Sequence, residues 1–97
     1  MAISDKLVRF RISGSEIQTI PKSQWARLLR YLWINRDRYS EVLEMIVDLD
    51  SSEVPPRLSQ LQSRFGILID KEQVPSSKKK RYRLSILVEI VGEEENG

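Results

Sequence analysis

Arg57, Gln60 and Arg64 recur at i, i+3 and i+7 in the stretch V-P-P-R-L-S-Q-L-Q-S-R-F-G, so in a helix they share one face. Such a face offers hydrogen-bonding forks. A guanidinium can pair with both acceptors on the major-groove edge of guanine, and a carboxamide with the donor and acceptor of adenine. Ser59 and Ser63 add two short hydroxyls on the same segment. Downstream comes Lys78-Lys79-Lys80-Arg81, with Lys71 before it and Arg83 after it. Cations on a hairpin suit phosphates, which they hold without reading sequence. The bland alternative is a solvated hairpin whose lysines guard a sheet edge. For the lysine run alone the bland reading is the better one. The neighbouring Arg57, Gln60 and Arg64 shift the balance toward a polyanion, above all double-stranded DNA.

Charge distribution points the same way. Residues 55–83 hold eight basic and two acidic side chains, a net +6, whereas the remainder nets −4 within an overall +2. A basic footprint against an acidic remainder is the electrostatic form of a nucleic-acid binder. Other chemistry is poorly supplied. There is no histidine and no cysteine, which removes the commonest general base, the usual nucleophile pairs, disulfides and most zinc sites. Asp48, Asp50, Glu53, Asp70 and Glu72 could serve a metal-dependent nuclease, but no spacing among them forms a motif. The run D-x-D-x-S-x-x-E from Asp48 resembles a calcium loop without its glycine and later bidentate glutamate, so helix-end and capping roles are expected instead. Neither an enzyme, nor a cofactor, nor a small-molecule substrate is expected.

The elements that must position these groups follow from hydrophobic periodicity. Val8, Phe10 and Ile12 alternate with Arg9 and Arg11, which predicts a half-buried strand over 7–12 after a loose lead-in over 1–6. Ser13-Gly14-Ser15 is a turn, and residues 16–20 can return as a short strand. Trp25, Leu28, Leu29, Leu32 and Trp33 form an apolar stripe that predicts a helix over 21–35, with Arg27 and Arg30 off the stripe. The spacing of the two tryptophans favours packing over a ligand cage. A second helix is expected from Tyr39 or Ser40, with Ser40 as N-cap and Val42, Met45, Ile46 and Leu49 inward. Leu58, Leu61 and Phe65 predict the third helix, about 55–65, with Pro55 or Pro56 in its first turn and Gly66 after its end. A hairpin follows, with a Pro75-Ser76-Ser77 loop and one last strand over 82–91.

The 97 residues suffice for one α+β domain, expected over 1–91, with a flexible acidic tail over 92–97. No run is apolar enough to span a membrane and no signal-peptide pattern opens the chain, so a cytoplasmic, nucleoid-associated or nuclear location is expected rather than secretion.

This order of elements resembles the winged helix-turn-helix superfamily, and most of all the effector domains of response-regulator transcription factors. Thr19-Ile20-Pro21-Lys22 is similar to the Thr-Pro-Lys that opens their first helix, with one residue inserted. Tyr82-Arg83-Leu84 is similar to the end of their Gly-Tyr-Arg-Leu signature, with Arg81 in place of glycine. The resemblance runs from about Val8 to Leu84. It implies a winged helix-turn-helix of three helices with a short N-terminal strand or hairpin and a C-terminal β-hairpin wing. It makes the third helix a recognition helix contacting the major groove through Arg57, Ser59, Gln60, Ser63 and Arg64. It makes the hairpin a wing, with Lys71, Lys78, Lys79, Lys80, Arg81 and Arg83 on phosphates. With no receiver domain ahead of these residues, phosphorylation control is not implied. A small DNA-binding regulator or accessory factor is the leading expectation, with a homodimer or larger partner adding specificity. About five neutralised phosphates would give a slope of log affinity against log salt near −4.5. The rival is a protein-interaction module using Leu87, Val91, Trp33, Tyr31 and Ile34, since winged helices also serve protein contacts. RNA ranks lower, because the hairpin lacks interleaved aromatics and has only Tyr82 nearby.

Overall fold

The third helix, α3, spans Val54–Phe65 and ends where its sequence says it should. Pro55 sits in the first turn, where a missing N–H costs nothing, and Gly66 closes the helix in the left-handed conformation at φ 69°. Val54, Leu58 and Leu61 are buried, each contributing about 1.5–3 kcal/mol from removal of apolar surface from water. The computed structural model describes residues 3–93, which form three helices and two three-stranded antiparallel sheets, a small α+β architecture.

The first sheet joins the two ends of the chain. Strand β1, Val8–Ile12, lies between β2, Gln18–Ile20, and β6, Val88–Glu93. Val8, Phe10, Ile20 and Val88 are buried beneath it. β6 includes Gly92 and Glu93, paired with Arg9 and Val8. The expected tail therefore gives its first two residues to the sheet, and 94–97 lie outside the described residues.

Helix α1 spans Gln24–Ile34, not 21–35. Ser23 caps it by accepting from the Ala26 N–H at 3.3 Å, which leaves Pro21 and Lys22 outside. Leu28, Leu29, Leu32 and Tyr31 are fully buried. Arg30 is also buried, contrary to its off-stripe expectation, and donates to the carbonyls of Ser4, Lys6 and Leu7. Arg27 donates to those of Ile3 and Leu49. Two guanidiniums thus tie the lead-in residues to the core, because a guanidinium can satisfy several backbone carbonyls at once.

Ser40 does not cap the second helix. It is buried in β3, Ser40–Glu41, opposite Tyr82. Helix α2 spans Val42–Leu49 and is capped by Glu41, whose backbone N–H donates to Glu44 in a capping box. Tyr31 Oη donates to Asp48 at 2.7 Å and pins α2 to α1. Burial first, then this hydrogen bond and the carboxylate's charge, push the phenol up to about 12. Asp50 takes the left-handed C-cap position, and Glu53 precedes α3 as its N-cap.

The second sheet has the order β3-β5-β4, with β4 at Ile69–Gln73 and β5 at Lys80–Leu84. The last strand expected over 82–91 is in fact two strands in two sheets. The Ser85 N–H donates to the Leu68 carbonyl and that of Val88 to the Ser85 carbonyl, so the chain turns through Ile86 and Leu87 and crosses to β1. Among the described residues no helix is long and apolar enough to cross a membrane.

Candidate nucleic-acid interface

A 3.6-residue period with Val54, Leu58 and Leu61 inward puts Pro56, Ser59 and Ser63 outermost on α3. All three are exposed. Arg57, Gln60 and Arg64 do not point straight out. They lie along one flank, against Trp25 of α1. The Trp25 indole Nε1 donates to Gln60 Oε1 at 2.8 Å. Its ring meets Phe65 edge-on at 5.8 Å. The Arg57 and Arg64 guanidinium carbons stand 5.6 Å and 5.1 Å from the same indole centroid. Arg57 and Gln60 are half-buried, and Arg64 is exposed.

This geometry changes what the stripe can do. The Gln60 carbonyl oxygen already accepts from Trp25, which spends one of its two lone pairs and holds the carboxamide on the flank beside the indole. The Ser63 hydroxyl donates to the Ser59 carbonyl at 3.1 Å, which occupies its proton. The long polar groups expected on one outward face therefore lie on a flank, where Arg57 and Gln60 are partly covered by the chain itself. The missed residue is Trp25. Its signal was present in the sequence, since a packed indole needs an acceptor for its N–H, and Gln60 on a neighbouring helix can supply one.

The hairpin divides its six basic residues into two kinds. Register sets Asp70 opposite Arg83 and Glu72 opposite Arg81. Arg81 is ion-paired with Glu72, and Arg83 approaches Asp70 at 3.6 Å while lying over the Tyr39 ring at 4.4 Å. These two arginines are neutralised by their own sheet. Lys71, Lys78, Lys79 and Lys80 are exposed and, among the described residues, have no carboxylate within ion-pair distance. The loop that presents them is held by its backbone: Val74 N–H donates to the Lys79 carbonyl at 3.0 Å, and Ser76 adopts φ 62°. Lys78 to Lys80 line a shallow hollow of about 300 Å³ with Glu41, Leu43 and Tyr82, at the start of α2.

The remaining candidates are placed as follows. Tyr31 is buried and cannot belong to a partner surface, and Trp33 is half-buried beneath Arg36 at 3.9 Å. Ile34, Leu87 and Val91 are exposed, as is Ile86. Asp70 and Glu72 serve arginines, and Asp48 serves Tyr31. Among the described residues, no three acidic side chains gather as metal ligands would. Compared with known proteins, the chain matches no family model, no curated protein and no solved structure.

Proposed function

We propose that the protein binds duplex DNA as a winged helix, as a small regulator or accessory factor. Supporting this reading, α1, β3, α2, α3 and the β4–β5 hairpin follow one another in the order such domains use, with the short strand joined to the second hairpin strand. On this reading α3 lies along the major groove and the hairpin reaches phosphates. The carrying observation is the uncompensated charge. Of the eight basic residues in this half of the chain, Arg57, Arg64, Lys71, Lys78, Lys79 and Lys80 have no acid within ion-pair distance among the described residues.

The outermost residues of α3 are a proline and two serines, which can distinguish few base pairs. Affinity then comes mainly from phosphates, with a second copy or larger partner adding selectivity. The test is titration of a fluorescent random-sequence duplex between about 50 and 200 mM salt. Four lysine–phosphate contacts alone give a slope near −3.6, and a slope near zero removes the proposal.

A protein-docking role is the second reading. Ile86, at 96% exposure, and Leu87 form an apolar turn between the two sheets, which favours it. Reversing Lys78, Lys79 and Lys80 to Glu separates the two, since a protein complex at the Ile86 turn survives that change.

A further inference from the structure

We propose that Arg57 and Arg64 grip backbone phosphates of the duplex, positioned by Trp25, and do not read bases. The inference rests on the duplex-binding reading and assigns the part of the duplex that these side chains meet.

Their location is the first argument. The outermost line of a helix lying in a groove meets base edges, and its flanks meet the sugar–phosphate walls. Arg57 and Arg64 occupy a flank, one turn to either side of Gln60, and both converge on the indole of Trp25. The Trp25 ring is itself fixed twice, by its N–H to Gln60 at 2.8 Å and by its edge contact with Phe65. Stacking on a fixed ring limits how far either guanidinium can swing toward the groove floor.

Availability is the second. A guanidinium packed against an aromatic face keeps its N–H edges for a planar bidentate partner, and phosphate suits that fork. Neither arginine has a carboxylate within ion-pair distance among the described residues. The Arg57 and Arg81 Nε–H groups are both buried without an acceptor among the described residues, so a phosphate at Arg57 would be met by the guanidinium's other N–H groups. Restricting the side chains beforehand also lowers the entropy lost on binding.

The experiment uses the full chain and a set of duplexes differing in sequence, each titrated across salt. Arg57→Gln and Arg64→Gln should each flatten the salt slope by about 0.9, one phosphate's worth, and weaken every duplex by the same factor. Arg57→Lys and Arg64→Lys should restore the slope, since a phosphate accepts a point charge. In a Trp33→Phe background, Trp25 is the sole tryptophan, and its emission should change when duplex is added. That change should be lost in the Arg57→Gln/Arg64→Gln double variant at matched thermal stability. Unequal losses among duplexes with an unchanged slope would show base reading and overturn the inference while leaving duplex binding intact. Wild-type binding that is insensitive to salt would remove the duplex reading, and this one with it.

Discussion

The third helix and the hairpin both carry positive charge, but they hold it differently. On the hairpin, register decides which charges remain. Arg81 and Arg83 face Glu72 and Asp70 across β4 and β5, whereas Lys71 and Lys80 stand opposite Tyr82 and Gln73, and among the described residues no carboxylate lies within ion-pair distance of Lys71, Lys78, Lys79 or Lys80. On α3 no described carboxylate pairs with Arg57 or Arg64, and both guanidiniums stand over an aromatic ring instead. A count of basic residues therefore overstates the field at one site and says nothing of aim at the other. The two regions also differ in rigidity. Lys78 and Lys79 stand on the six-residue connection between β4 and β5, with Lys71 and Lys80 on the strands that flank it, and the arginines on a capped helix.

The largest effect expected is on the hairpin. Changing Lys78, Lys79 and Lys80 together to Glu should abolish duplex binding at 150 mM salt, read by fluorescence anisotropy, with the melting temperature preserved. Binding that survives would break the comparison by moving the interface elsewhere. Gly66→Ala acts on the other region. A Cβ there meets nothing within 4 Å, so the cost is the left-handed backbone alone, roughly 1–2 kcal/mol of stability by chemical denaturation. Trp25→Phe keeps a ring under the arginines but removes the indole N–H bonded to Gln60. It should cost about 1 kcal/mol and free Gln60 to discriminate among duplexes, measured by comparing adenine-rich and guanine-rich sites. Glu72→Gln is the mildest and the most telling. The pair is partly exposed, so its loss costs about 0.2–1 kcal/mol, while releasing Arg81 should steepen the salt slope by up to about 0.9.

These comparisons need a folded protein, and pH offers a check. The Tyr31 phenol is raised from 10.0 to about 12 in the fold, so its stabilisation is fully present below pH 10 and is lost as pH rises through 12. Tyr31→Phe should flatten the stability profile over that window, measured by denaturant titration at each pH.

Much of the scaffold is legible in the sequence because its signals are local. The stripes of α1 and α3, the proline in the first turn of α3 and Gly66 after its end each depend on neighbours a few residues away. Three features are not local. The break at Ser85 is hidden because the apolar alternation of Tyr82, Leu84, Ile86, Val88 and Ile90 runs straight through it. Only the bond from Ser85 to Leu68 and the pairing of β6 with β1 make the chain change sheets. Arg30 looks like a surface residue until the carbonyls of the lead-in segment close around it. Ser40 looks like a cap, yet Glu41 with Glu44 can cap α2, which leaves Ser40 to pair with Tyr82 in the sheet. The candidate interface follows the same rule. Its residue types were visible in the chain, but their partners (Trp25 for the helix, Asp70 and Glu72 for the hairpin) come from other elements.

The central claim, that the unpaired lysines and not the paired arginines of the hairpin meet the polyanion, has a direct measurement. It compares the salt slope of random-duplex binding in two sets of substitutions to uncharged side chains. One set changes Lys78, Lys79 and Lys80 to Gln. The other replaces both ion pairs at once, with Asp70→Asn, Glu72→Gln, Arg81→Gln and Arg83→Gln. The lysine set should flatten the slope by about 2.7 and the paired set should leave it unchanged. Equal flattening by both sets, or by the paired set alone, would contradict the account.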